Sequence, residues 1–151
     1  MTKEVLVTIS GLQFMTENES ENEPVEIITT GDYYNRNGKH YVVYDEVMEG
    51  FSGTTKNIIK LNDDFLDITK KGISNVHMMF EKNRKNVSYY YTPYGSLLIG
   101  IDAKNVEVKE TEQNIDVTVE YELEVNYEHM ADCSIKLNIK SKDAGDFHIQ
   151  A

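Results

Sequence analysis

From Ile115 to Tyr127 the chain alternates without a break. Ile115, Val117, Val119, Tyr121, Leu123, Val125 and Tyr127 are apolar or aromatic, and Asp116, Thr118, Glu120, Glu122, Glu124 and Asn126 between them are polar. Successive side chains on a strand point to opposite faces, so the pattern predicts one strand with a buried face and a wet face. Its length far exceeds the usual mode of about 5–6 residues. Long one-sided antiparallel strands suit a barrel or a strongly coiled sheet. "CSIKLNIKSK" repeats the pattern, with Cys133, Ile135, Leu137 and Ile139 inward and Lys136 and Lys140 outward.

Shorter segments read the same way: "KEVLVTISGLQF", "PVEIITTGDYY", "KHYVVYDEVM", "TTKNIIKL", "DFLDITKK", "VHMMFE" and "NVEVKET". Gly11 marks a bend or bulge in the first of them. Turn residues recur between them at meander spacing, in "NRNGK", "EGFSG", "NDD", "KKG", "KNRKN", "TPYG" and "TEQN". No stretch keeps a helical period for three turns. The prediction is a single all-β domain over 1–151, with an acidic mobile loop at 16–24 and a short C-terminal tail at 143–151.

Two hairpins carry specific expectations. "SYYYTPYGSLLIGI" turns at "TPYG", with Pro at the second position and Gly at the fourth. Folding its flanks places Tyr91 near Leu97, Tyr89 near Ile99 and Val87 near Ile101, which makes Tyr89 and Tyr91 core, sets Tyr90 on the other face, and leaves Tyr94 at the tip. A turn centred on Phe51 sets Tyr44 opposite Ile58 and Glu46 opposite Lys56, as a cross-strand ion pair on either face.

The formal charge of −11, from 15 basic and 26 acidic residues, argues against nucleic acid and against an anionic membrane surface as partners. Only "KNRK" is a tight basic cluster. Cys133 is the lone cysteine, which fits a reducing, cytoplasmic setting, and the N-terminal stretch alternates instead of forming a secretory apolar run.

Familiar chemistry is missing from the pattern. His40, His77, His129 and His148 stand too far apart in sequence for a zinc site of usual spacing, so the expectation is no metal and no cofactor. His77 reads as a satisfied barrel histidine and Cys133 as a core residue. No glycine-rich loop precedes a helix, and the alternate glutamates 120, 122 and 124 read as wet-face decoration.

"YDE" at 44–46, "TTKNIIK" at 54–60, "TPYG" followed by "LLIGI" at 92–101, and the closing hairpin from "NIDVTVEYELEVN" occur in that order. Together they resemble the YwiB-like family of small bacterial proteins of unknown function over nearly the whole chain. The resemblance implies an antiparallel up-and-down, calycin-like β-barrel of about eight to ten strands, akin to lipocalins. It supplies no activity. The family's marked positions fall on Tyr44, Glu46, Thr55, Lys56, Tyr94 and Gly95, and the first five form the candidate ligand-binding set, with no catalytic residue assigned.

The leading expectation is a non-enzymatic barrel for a small, partly apolar or amphipathic ligand. Its motivation is one-sided strands with inward aromatics and methionines (Met48, Met78, Met79, Phe80) together with the resemblance, and the many large residues make a filled interior its competitor. One alternative is a protein-interaction module or homodimer using a free strand edge, at the first strand or at "CSIKLNIKSK". Another is a barrel-mouth enzyme using Glu46 with Lys56 or Tyr94.

Overall fold

The computed structural model describes residues 3–11, 26–47, 53–72 and 75–142. The acidic run 16–24, the tail 143–151, Met48 and most of "EGFSG" lie outside them. Ten strands account for nearly all of the described chain: β1 Glu4–Ser10, β2 Glu26–Arg36, β3 Lys39–Val47, β4 Thr54–Leu61, β5 Phe65–Lys71, β6 Val76–Glu81, β7 Arg84–Thr92, β8 Gly95–Glu110, β9 Asn114–Val125 and β10 Glu128–Ser141.

They form one antiparallel sheet in the order β6-β5-β4-β3-β2-β1-β10-β9-β8-β7. Read as a circle, that order is the order of the sequence, which is an up-and-down barrel whose seam lies between β6 and β7. There the strands share one bridge, with Asn75 and Tyr91 exchanging backbone hydrogen bonds of 2.8 and 2.7 Å. Further along, side chains replace the ladder: Ser88 Oγ donates to the His77 carbonyl and Asn86 Nδ2 to that of Met79. The strands expected to offer free edges do not: β1 and β10 pair with each other from Val5↔Ser141 to Ser10↔Lys136.

Alternation decides what is buried. Val5, Val7 and Ile9 on β1, Ile115 to Val125 at odd positions of β9, and Ile135, Leu137 and Ile139 on β10 all face the core. Phe80 and Tyr121 meet edge to face inside it at 5.0 Å between ring centroids, with Leu66, Ile68 and Met78 buried alongside. Met79 lies out of phase with Met78 and Phe80 and is only partly buried.

Several expectations are corrected. β9 ends at Val125, and Asn126 and Tyr127, both at positive φ, make a two-residue turn that leaves Tyr127 exposed at its tip instead of inward. "LLIGI" and "NVEVKET" belong to a single strand, β8, because an irregularity between Ala103 and Asn105 moves the inward phase from Ile101 and Ala103 to Val106 and Val108.

The "TPYG" hairpin pairs Thr92 with Gly95, hence Tyr91 with Ser96, Tyr90 with Leu97 and Tyr89 with Leu98. A turn closed by its first and fourth residues has two loop residues, one fewer than a turn centred on Tyr94. A one-residue slip exchanges the faces. Tyr89 and Tyr91 are therefore outside, 54% and 53% exposed, and Tyr90 packs against the core.

In an up-and-down barrel alternate connections lie at alternate ends. The β3–β4, β5–β6, β7–β8 and β9–β10 connections gather at one end, called the upper end below. The β2–β3, β4–β5, β6–β7 and β8–β9 turns gather at the lower end.

Candidate functional site

At the upper end the inward phase of three neighbouring strands turns polar. β3 presents Tyr44 and Glu46, β4 presents Thr55 and Asn57, and β5 presents Lys70 after its apolar Leu66 and Ile68. The register sets Tyr44 beside Asn57, Glu46 beside Thr55, and Asn57 beside Lys70. Five polar side chains thus form one patch on the inner wall, directly above the apolar core.

Glu46 is its centre. Lys70 Nζ lies 3.0 Å from Glu46 Oε1, and Asn57 Nδ2 donates to the same oxygen at 3.1 Å. The side chains of Glu46 and Lys70 are 27% and 14% exposed, so the pair sits in the mouth, within reach of solvent. Gly72 sets how closely β5 approaches β4 there: a Cβ on it would meet the Thr54 carbonyl oxygen at 2.5 Å and the Thr55 Cα at 2.8 Å.

Deeper in, two polar atoms lack a protein partner. The Tyr44 hydroxyl and Asn57 Oδ1 are both buried and make no hydrogen bond among the described residues. Buried polar groups are nearly always hydrogen-bonded, and leaving one bare costs on the order of 1–3 kcal/mol. Burial, and secondarily the Glu46 charge, pushes the Tyr44 phenol well above its ordinary range, so it stays a neutral hydroxyl able to donate. Together these atoms offer one donor and one acceptor beside a paired carboxylate and ammonium. That is equipment for recognition.

The candidate set divides accordingly. Tyr44, Glu46 and Thr55 converge on the mouth. Lys56 does not: it faces outward opposite Asp45, because β3 and β4 pair one residue away from the expected register, and Tyr44 faces Asn57, not Ile58. Tyr94 stands 88% exposed on the β7–β8 turn, with Gly95 opening β8. Asn57 and Lys70 were not singled out from sequence. The signal was present in the inward phase of "TTKNIIKL" and "FLDITKK", where a polar residue continues an apolar series.

Other chemistry is placed differently from expectation. His77 points outward, with Nε2 2.9 Å from Asp67 Oδ2, and among the described residues the buried histidine is His40. Glu122, His129 and Asp132 bring one ligand atom each within 4.8 Å of one another on the outer face, where Lys104 Nζ already lies 3.0 Å from Glu122. Burial raises the Cys133 thiol above its ordinary range, consistent with a core role.

A family model described as a domain of unknown function (DUF1934) matches residues 7–137. An uncharacterized beta-barrel protein YwiB of Bacillus subtilis (strain 168) is 23% identical over 137 residues, covering 89% of this chain and 94% of that protein. The crystal structure of the ywiB protein from Bacillus subtilis superposes with a TM-score of 0.75 at 19% identity, covering 92% of each chain. That structural likeness shows the barrel fold.

Proposed function

The chain belongs to the DUF1934 family, and we propose that its barrel is a non-enzymatic binding protein holding a small, partly apolar ligand in its upper mouth. The observation behind this reading is the pair of buried, unpartnered polar atoms, Tyr44 hydroxyl and Asn57 Oδ1, next to the Glu46–Lys70 ion pair. A ligand carrying a donor for Asn57 and an acceptor for Tyr44 relieves both. Below them Ile59, Ile68 and Val76 of β4, β5 and β6 are buried in the core and close the floor of the mouth. Because Phe80, Tyr121 and their neighbours fill the middle of the barrel, the ligand is a mouth ligand of modest size and does not thread the interior. The lone Cys133 and the absence of any described helix long and apolar enough to cross a membrane accord with a cytoplasmic setting.

Native mass spectrometry of protein purified gently from its own cells tests this. A mass above that of the chain, lost on denaturation and reduced in occupancy in Tyr44→Phe, is expected. Bare chain mass in every preparation would contradict it.

A second reading rests on a different surface. β7 is a terminal strand of the sheet, and Val87, Tyr89 and Tyr91 expose an apolar row on it, with the two rings 5.9 Å apart. Such a row suits a homodimer contact. Sedimentation of the Tyr89→Ser/Tyr91→Ser variant as a smaller species than the native protein would support it, and a monomeric native protein would remove it.

A further inference from the structure

At the lower end of the barrel, away from the mouth, three side chains from three strands form a line of short contacts. Tyr33 Oη on β2 lies 2.6 Å from His40 Nδ1 on β3. His40 Nε2 lies 2.7 Å from Glu110 Oε2, at the end of β8. The tight Asn37–Gly38 turn, with both residues at positive φ, brings His40 back beside Tyr33. Glu110 arrives from elsewhere on the wall, since β8 neighbours neither β2 nor β3 in the sheet. The β8 irregularity places Glu110 in the inward phase of Val106 and Val108.

With Glu110 ionised and His40 neutral, the two short contacts assign the protons. An ionised carboxylate only accepts, so His40 Nε2 carries the hydrogen that Glu110 receives. A neutral imidazole has one N–H, which leaves Nδ1 with a lone pair, and the Tyr33 hydroxyl must donate to it. Asn35 Nδ2 makes a long contact of 3.4 Å to the Tyr33 oxygen, where it can support developing negative charge. The order is nucleophile, base and orienting carboxylate, with a phenol in the place where hydrolytic triads carry an alcohol or thiol. His40 is buried and shielded from water, whereas Tyr33 is only partly buried and reachable by a small reagent.

We propose that Tyr33 is a nucleophilic site that accepts an acyl group from small activated esters, with His40 as its base and Glu110 as the positioning residue. In the step, the Tyr33 oxygen bonds to the ester carbonyl carbon while its proton passes to His40 Nδ1. The resulting imidazolium is held by Glu110. The bond from the carbonyl carbon to the leaving oxygen breaks, and His40 returns the proton to that oxygen. The products are an O-acyl tyrosine and a free alcohol or phenol. The step is redox-neutral and needs no other reactant.

The test is acetylation of the full chain by p-nitrophenyl acetate, followed by peptide mass spectrometry that times each tyrosine separately. Tyr94 and Tyr127 are exposed internal references. Tyr33 should react about 10²-fold faster than either, at the low end of what a positioned base supplies. His40→Gln should bring Tyr33 down to the reference rate. Glu110→Gln, at a half-exposed position that the core does not depend on, should slow it roughly tenfold through loss of the orienting charge. If His40→Gln fails to fold, Glu110→Gln decides. Tyr33 reacting no faster than Tyr94 and Tyr127, or a rate untouched by Glu110→Gln, would mean the three groups only brace the barrel and would overturn the proposal.

Discussion

Tyr44 and Asn57 carry polar atoms that burial has cut off from water without supplying a protein partner. Removing such a hydroxyl removes its desolvation cost, so in ligand-free protein Tyr44→Phe should match or exceed the native stability, by up to about 1 kcal/mol in urea unfolding. A clear loss of stability would show that the hydroxyl is bonded after all. Tyr44, Glu46 and Thr55 entered the candidate set through the resemblance to the YwiB-like family, since the alternation around "YDE" leaves the face of Glu46 open. Lys70 was not, since its partner Glu46 lies 24 positions away on a strand that meets β5 only through β4. Lys56 was misplaced by a register one residue off. Chemistry that depends on one turn is read from sequence only as well as the turn is counted.

Among elements, the β7–β8 hairpin shows what a single residue decides. Its turn chemistry was plain in "TPYG", yet the faces of Tyr89, Tyr90 and Tyr91 depended on whether Thr92 pairs with Gly95 or with Ser96. With Thr92 paired to Gly95, Tyr90 joins the core and Tyr89 and Tyr91 do not. Tyr90→Ala should therefore cost about 2–4 kcal/mol in chemical unfolding, whereas Tyr89→Ala and Tyr91→Ala should each fall within roughly 0.5–1 kcal/mol of the native protein. The reverse ranking would restore the other register. The phase change in β8 was hidden for a different reason. A strand that shifts phase at Ala103 and Asn105 looks in sequence like two short strands, and only its pairing with β9 shows the join.

Over the whole molecule, chain order and spatial order coincide. Alternation and punctuation pointed to an all-β domain suited to a barrel or a coiled sheet, and the up-and-down topology came with the resemblance to the YwiB-like family. Closure was not legible, because β1 meets β10 across the length of the chain and the β6–β7 seam depends on Asn86 and Ser88 side chains.

The packed interior also sets how stability varies with pH. Burial raises the Tyr44 and Tyr121 phenols above their ordinary 10.0 and the Cys133 thiol above its ordinary 9.0. In alkali the unfolded chain gives up these protons first, so it binds fewer than the folded chain and stability falls as pH rises. This contribution is complete below about pH 8, begins to fall through about pH 9 as the unfolded thiol ionises, and falls further through about pH 10 and above with the unfolded phenols. Urea unfolding from pH 7 to 11 should show that decline, with a shallower slope in Tyr121→Phe. An unchanged slope would mean that Tyr121 ionises as freely folded as unfolded.

The claim that the upper mouth is a ligand site is tested most directly by amide hydrogen exchange. Protein taken from its own cells would be compared with the same protein unfolded, freed of small molecules and refolded. A ligand present at about 100 times its dissociation constant protects the amides that open with its site by roughly 10²-fold. Exchange in the stripped protein should therefore quicken at residues 44–47, 54–57 and 69–71 and stay unchanged in β9 and β10. Superimposable exchange along the whole chain would contradict a ligand held by Tyr44, Asn57 and the Glu46–Lys70 pair.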